Sequence, residues 1–583
     1  MGNVTKYTCR VTGVLLLMLC FCGVSLHAQT SVVELKLVET SDIHGNYLPY
    51  NYVDLCERNG GLSRIYSYLK QERRKYGDNL LLFDNGDMIE GHPACYYYNY
   101  IDTVSPHIAA NMMNYMRYDA GGIGNHEIET GIPVLNRWME ECNFPVLSAN
   151  VVWESDGKPY AKPYAVFERA GIRIAVLGLT TTATQAWVCK SMWRGLKFLD
   201  MEETARKWLP VIREKENPDI VIGLFHSGKD SRVIGGAYKD NVSLEIARDV
   251  PGFDIVMMGH DHNLYCGKIA NANGDSVLIV NPGDTGIALA DITLSLEIRN
   301  GAVVRKNING SLVDTGSREP DEDFMKRYAV QHEVVKEFVL QKIGIFTEKV
   351  TTRPAYFGPS AFVDFIHSLQ LSITDADVSF ASPLSFDTSI ERGDVRICDM
   401  FRLYRYKNLI YTMNLSGKEI KNYLEESYSR WTNRMESPDD NLLLFLDNEY
   451  RQTLFANYYY FFDSAAGIIY TVDVSKPTGE KIHIVCLSDG KPFEPNQMYS
   501  VAMNSYRGNG GGELLTKGAG LPAEELESRV LSITDKDFRY YLVDYIKQNK
   551  MIHPRVLNHW KFIPDEWVRS ATERDYRRLF GEK

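Results

Sequence analysis

From residue 33 to about residue 310 the chain repeats one phrase, a short apolar run that ends in a polar cluster. Residues 33–38 lead into cluster 40–46, 80–83 into 84–87, and 172–179 into 180–182. Residues 220–225 lead into 226–228, 255–258 into 259–262, and 277–280 into 281–284. Runs of this length, rich in Val, Ile and Leu, predict buried strands. Stretches 61–76, 104–116 and 201–216 carry helical patterns between several of them. The alternation predicts an α/β layered domain over 33–315, and in such sheets function collects where strands end in loops.

The pattern then changes. Residues 319–343 are charged and place Phe324, Tyr328, Val335, Phe338 and Val339 at helical spacing, which predicts a linker helix between domains. Residues 347–550 form a second α/β stretch rich in Tyr and Phe, and the basic, aromatic tail 551–583 predicts a packed helix or strap. At the other end, Lys6 and Arg10 precede an apolar stretch over 14–26, and Ala28 offers a small residue for cleavage. That stretch is too short for a bilayer core of about 30 Å, so residues 1–28 read as a signal peptide. Lipidation at Cys20 or Cys22 ranks second, because Leu19 and Phe21 are poor neighbours for it. No later segment approaches the length of a transmembrane anchor, and the mature chain is expected to be exported, to the periplasm first and to a lipid-anchored outer surface second.

Composition narrows the classes. The 583 residues carry 64 basic and 75 acidic side chains, a formal charge of −11, with 44% apolar and 24% charged residues. These are globular proportions, not those of a disordered, collagen-like or coiled-coil chain. The acidic balance argues against a nucleic-acid polymer as partner, since phosphate backbones select Lys/Arg stripes. The seven cysteines beyond the leader are scattered and contain no CxxC, which predicts small buried residues rather than a disulfide framework or zinc–thiolate site.

The polar clusters hold the chemistry. Asp42 and His44 flank one residue, as do His260 and His262; Asp87 follows Gly86, Asn125 and His126 follow Gly124, and His226 ends a strand. Imidazole, carboxylate and amide donors suit Zn, Mn, Fe or Co rather than Ca or a thiolate site. These groups exceed the need of one tetrahedral ion and fit two ions about 3.5–4 Å apart, the arrangement that activates water against phosphorus. In the second half, Tyr404, Tyr406 and Tyr506 are candidate stacking faces for a base, and Arg507 in the Gly-rich loop 504–512 supplies charge.

Asp42-x-His44, Gly86-Asp87, Gly124-Asn-His-Glu127, His226 and Gly259-His-x-His262 resemble the calcineurin-like metallophosphoesterases. The whole stretch 33–550 resembles the exported two-domain 5′-nucleotidase group. The resemblance implies a four-layer catalytic domain, a β-sandwich flanked by helices, followed by an α/β 5′-nucleotidase C-terminal domain that binds the nucleotide. It implies that Asp42, His44 and His262 hold one divalent ion, that Asn125, His226 and His260 hold the other, and that Asp87 bridges them. It places His126 against the substrate, outside the metal shell, as stabiliser or proton donor, with Glu129 orienting its imidazole. The second domain departs from the 5′-nucleotidase and UDP-sugar hydrolase branch, whose Gly-Gly-x-Arg motif has no Arg here in stretch 381–386. Runs 403–408, 462–470 and 504–507 instead resemble the bifunctional 2′,3′-cyclic-nucleotide 2′-phosphodiesterase/3′-nucleotidase, which sandwiches a base between two tyrosines. Carried over, these are Tyr506 with Tyr406 or Tyr404. The expected substrate is a small nucleotide, the expected products nucleoside and phosphate, and the runner-up is a 5′-nucleotidase or UDP-sugar hydrolase. A nucleotide-binding protein without turnover is the third reading, and the full ligand set argues against it.

Overall fold

Alternation of apolar side chains along the strands of the first domain builds two sheets back to back. The computed structural model describes residues 30–234, 238–446 and 455–581, so the leader assigned to residues 1–28 lies outside the described residues. One six-stranded sheet runs Ala302–Asp314, Ala288–Arg299, Thr30–Thr40, Leu80–Asp84, Ala120–Gly122, Val146–Leu147. The other runs Leu264–Ala270, Ser276–Pro282, Ile255–Met258, Ile220–His226, Ile172–Thr180, Tyr164–Arg169. Along Ile220–His226, Ile220, Ile222 and Leu224 face the inter-sheet core, while Val221 and Phe225 face the helices outside. Ile174 and Val176 against Ala175 and Leu177 repeat the rule, so period two fills two apolar layers at once. Helices Leu62–Tyr76 and Ile108–Met116 cover one outer face, and Met201–Glu216 with Ser243–Asp249 covers the other. This is the four-layer α/β/β/α arrangement.

The central strands of each sheet are parallel, as in Thr30–Thr40 beside Leu80–Asp84 and Ile220–His226 beside Ile255–Met258. Their carboxyl ends therefore meet at one edge of the sandwich, where sites form in parallel sheets. Asn85 clamps that edge. Its amide donates towards Glu39 Oε1 at 3.2 Å in the first sheet, and towards the carbonyls of Phe225 at 3.1 Å and Met257 at 3.0 Å in the second.

The 319–343 segment forms two helices, Glu322–Arg327 and Ala329–Leu340, instead of one. Phe324, Tyr328, Val335 and Val339 are buried in the core of the first domain, while Phe338 also packs against the second. The segment is thus a fixed strut more than a free linker. The second domain centres on the sheet Ser464–Ala466, Val378–Ala381, Met498–Asn504, Ile410–Ser416, Val530–Ile533. Residues beyond 550 are part of it: Trp560–Ile563 pairs in parallel with Ile468–Asp473, and Trp560, Phe562 and Ala571 are buried in its core. The domain therefore runs past the boundary read from the sequence, because the tail supplies a strand. The cysteines from Cys56 to Cys486 are all free, and Cys95, Cys189 and Cys398 are buried. Among the described residues no helix is long and apolar enough to cross a membrane.

Asn85→Ala leaves buried acceptors from both sheets unpaired and should lower unfolding stability by about 1–3 kcal/mol, read from the denaturant midpoint of the first domain's transition. An unchanged midpoint would show that the sheets hold their edge without this clamp.

Candidate metal centre

Each of the donor groups singled out in the first domain sits just past, or at the end of, a strand that reaches this edge. Asp42, His44, Asp87, His260 and His262 all have positive φ, between 49° and 73°. Left-handed backbone at a non-glycine residue costs of order 1–3 kcal/mol and persists only where the surroundings impose it. Here the loops hold one another. Asp42 N–H donates to the Gly86 carbonyl at 2.9 Å, His44 N–H to the Asp87 carbonyl at 2.8 Å, and Thr285 N–H to the Asp42 carbonyl at 2.8 Å. The Asp42 carboxylate accepts the His260 N–H at 3.0 Å. Glu127, fully buried, accepts the N–H groups of Asp87 and Met88 at 2.7 Å, Gly124 at 2.8 Å and Ile89 at 3.1 Å. One carboxylate thereby shapes both the Asp87 loop and the turn into Asn125.

Three donor groups with atoms within 4.8 Å of one another result: Asp42, His44 and His262; Asp87, His226 and His260; and His44, Asp87 and His126. Asp87 belongs to two of them. Its Oδ2 stands 3.1 Å from His226 Nε2, 4.0 Å from His44 Nε2 and 4.0 Å from His126 Nε2. Asn125 Oδ1 lies 3.2 Å from His226 Nε2. His44 Nε2 and His262 Nε2 face each other at 3.1 Å, with Asp42 Oδ1 3.4 Å from the latter.

The proton positions test whether cations fit. His44 Nδ1 lies 3.1 Å from the Glu90 carbonyl and His226 Nδ1 2.7 Å from the Asn85 carbonyl. A carbonyl only accepts, so both Nδ1 atoms carry a proton and both Nε2 atoms turn inward. His260 Nε2 lies 2.9 Å from Asp240 Oδ1, which leaves its Nδ1 for the centre. Burial drives His44 down to about 4, in spite of Asp87, so its imidazole is neutral. Burial would raise Asp42 and Asp87, yet His262 and His226 hold Asp42 at about 2, and His226 and His126 hold Asp87 well below the carboxylate range. Burial opposes charge on His226, but Asp87 lifts it to about 10. Ionised buried carboxylates draw positive charge into the centre, here as the proton on His226, and a divalent pair fits the same donor set.

His126 stands at the open side. Its side chain is 34% exposed, against 0% for His226. Its Nδ1 meets Glu129 Oε2 at 2.5 Å, and against the pull of burial, Asp87 and Glu129 lift it to about 10. Lys407 of the second domain donates to the Glu129 carbonyl at 2.9 Å and bonds the Tyr100 hydroxyl. Its neighbour Tyr406, 40% exposed, meets Tyr460 edge-on at 6.1 Å, and Tyr458 stacks on Tyr460 at 5.1 Å. Tyr506, half-buried, borders the same group, with the Arg507 guanidinium over its ring at 5.5 Å.

Two expectations fail on packing. Tyr404 is 1% exposed and wedged against Phe538 at 4.7 Å, so it offers no face to a base. Arg507 is 2% exposed and gives both Nε and Nη2 to the Asp463 carboxylate at 2.9 and 2.8 Å, so it is not free to hold a phosphate. The Gly-rich loop serves that packing: a Cβ on Gly511 would strike the Tyr506 ring, and one on Gly512 would strike Arg507. Sequence reasoning missed Glu127, Asn85, Asp240, Lys407 and Tyr460. The aromatic run 458–462 and the Asn-His-Glu string were visible signals; Asp240 carried none.

Residues 35–264 match the calcineurin-like phosphoesterase family and residues 342–517 the 5′-nucleotidase C-terminal domain. The chain is thus a calcineurin-like phosphoesterase domain joined to a 5′-nucleotidase C-terminal domain, a metal-dependent phosphoric ester hydrolase of the class whose centre is dinuclear. Among curated relatives, the trifunctional nucleotide phosphoesterase protein YfkN of Bacillus subtilis is 26% identical over 92% of this chain, which spans 40% of that relative's length. The 2′,3′-cyclic-nucleotide 2′-phosphodiesterase/3′-nucleotidase of Yersinia enterocolitica is 25% identical over 92% of this chain and 89% of its own. In fold the chain is similar to a Staphylococcus aureus protein proposed to be a 5′-nucleotidase, with TM-score 0.74, 22% identity, and 91% and 100% of the two chains covered.

Glu127→Ala removes the acceptor of four loop N–H groups. Elemental analysis of the folded variant should find the divalent metal content at least halved; full content would detach Glu127 from the centre.

Proposed function

We propose that the protein hydrolyses 2′,3′-cyclic nucleotides at the 2′ ester and then releases phosphate from the 3′-nucleotide. The observation that carries this reading is the Lys407 bond to the Glu129 carbonyl. It seats the aromatic loop of the second domain against the carboxylate that holds His126. A base stacked at Tyr406 and Tyr506, beside Tyr460, then leaves its ribose phosphate at the metal centre. The relatives named as cyclic phosphodiesterase/3′-nucleotidases support the choice of ester.

Asp42, His44 and His262 would hold one divalent ion and Asn125, His226 and His260 the other, with Asp87 between them; Zn, Mn, Fe and Co all suit this set. The chemistry such ions supply when bound is Lewis acidity, which activates water and offsets phosphoryl charge. The chain's own residues do the rest. Asp240 fixes the tautomer of His260, while the Asn85 and Glu90 carbonyls fix those of His226 and His44. His126, its Nδ1 proton held by Glu129, presents protonated Nε2 to the leaving oxygen and acts as general acid. Tyr406 and Tyr506 position the base, and the loop around Lys407 keeps that platform in register with His126. Export rests on the leader features of residues 1–28, which put the mature chain in the periplasm; N-terminal sequencing of the secreted form should begin near residue 29.

Incubation with 2′,3′-cyclic AMP, 3′-AMP and 5′-AMP should show rapid use of the first two, with 3′-AMP appearing in passage. Preference for 5′-AMP would keep the centre and overturn the ester assignment in favour of a 5′-nucleotidase. His126→Ala should cut kcat by about 10²–10⁴-fold with metal content unchanged. Tyr406→Ala should raise KM by about 5- to 150-fold, from ~1–3 kcal/mol of lost stacking.

A further inference from the structure

The second domain holds a buried donor cluster with no part in the chemistry above. Asp364 and His367 lie one turn apart on helix Ala361–Thr374, and His559 arrives from the segment before strand Trp560–Ile563. One donor atom from each lies within 4.8 Å of the others, and all three residues are buried. His367 Nδ1 meets Ser379 Oγ at 2.9 Å, and that hydroxyl donates onward to Gln370 Oε1 at 3.1 Å. A hydroxyl whose proton goes to Gln370 accepts from His367, so Nδ1 carries the ring proton and Nε2 keeps a lone pair. Nε2 faces Ser464 Oγ at 3.1 Å, a hydroxyl with a second acceptor in the Ala381 carbonyl at 3.4 Å. Asp364 accepts the Leu557 N–H on Oδ2 at 2.8 Å, while Oδ1 stands 4.0 Å from His559 Nδ1, beyond hydrogen-bond reach.

His559 is the anomaly. Its side chain is 6% exposed and neither ring nitrogen has a hydrogen-bond partner; the Ala465 carbonyl lies close but outside hydrogen-bond geometry. Buried imidazoles in native folds are satisfied, so a group with both nitrogens unmet, beside the Asp364 carboxyl and the His367 ring, points to a missing partner.

We propose that Asp364, His367 and His559 form a structural divalent-cation site of zinc type that staples the C-terminal segment to helix Ala361–Thr374. Two imidazoles and one carboxylate make a zinc-like donor set, with Ser464 Oγ beside the His367 lone pair as a fourth oxygen. The anchoring of His367 through its other nitrogen is the arrangement that metal-bound histidines adopt. The site joins residues 364 and 559, so the cation would fix the strand and helix that complete the second domain, as structural ions do. It shares no residue with the first-domain centre and stands or falls independently of the nucleotidase reading.

The test is the whole protein saturated with zinc, crystallised, and measured at the zinc edge, with elemental analysis of the same protein and of His559→Gln. Anomalous density among Asp364 Oδ1, His367 Nε2 and His559, with one zinc per chain more than in His559→Gln, is the expected result. Absence of density at the three residues overturns the site whatever the counts. The wild-type map decides the matter even where the variant fails to fold.

Discussion

Donor atoms from two separate sheets must converge within a few ångströms, and the loop from Asp84 to Ile89 is where that constraint is met. It carries Asp87, the carboxylate common to two donor groups, and it is held from both sides. Asn85 ties it to the strand ends of the opposite sheet, and Glu127 gathers three of its N–H groups together with that of Gly124. The strained φ values at five donor positions are the local cost of this convergence. Backbone groups that would otherwise be orphaned at a buried edge find acceptors in these two side chains, so the same bonds that satisfy the fold also aim the donors.

Electrostatics completes what the loops begin. Three imidazoles have one nitrogen committed to an acceptor outside the centre: the Glu90 carbonyl for His44, the Asn85 carbonyl for His226, and Asp240 for His260. With the outer nitrogen committed, the inner one is the nitrogen each ring turns to the centre. Asp42 and Asp87 stay ionised despite burial because His262 and His226 hold the first and His226 and His126 the second. His126 differs from His44 and His226: its outer partner is the Glu129 carboxylate rather than a carbonyl, and its side chain is the more open. That difference supports the proton-donor role proposed for His126.

The two domains are interlocked through the same region. Lys407 reaches the Glu129 carbonyl, and Arg402 donates to the Val53 carbonyl at 2.7 Å. Arg539, its side chain 3% exposed, covers the rings of Tyr96 and Phe401 and stands 3.6 Å from Glu90, whose carbonyl holds His44. The strut helices pack on the first domain and touch the second through Phe338. The second domain is thereby mechanically continuous with the loops that carry Glu129 and Glu90.

Much of this was legible in the order of residues. Short apolar runs ending in Asp, His and Asn marked both the strands and the donor positions, because a parallel strand delivers its next residues to the same edge as its neighbours. Asp42, His44, Asp87, Asn125, His226, His260 and His262 were local consequences of that rule. Tyr404 and Arg507 were misplaced because an aromatic or a cation looks the same in sequence whether it meets solvent or Phe538 and Asp463. The roles of Asn85, Glu127 and Asp240, the strand contributed by the tail, and the meeting of Asp364, His367 and His559 belonged to the tertiary structure alone. Each depends on partners 20 to nearly 200 residues away. Periodicity reports which face a side chain turns to, but only the packed chain decides what it finds there.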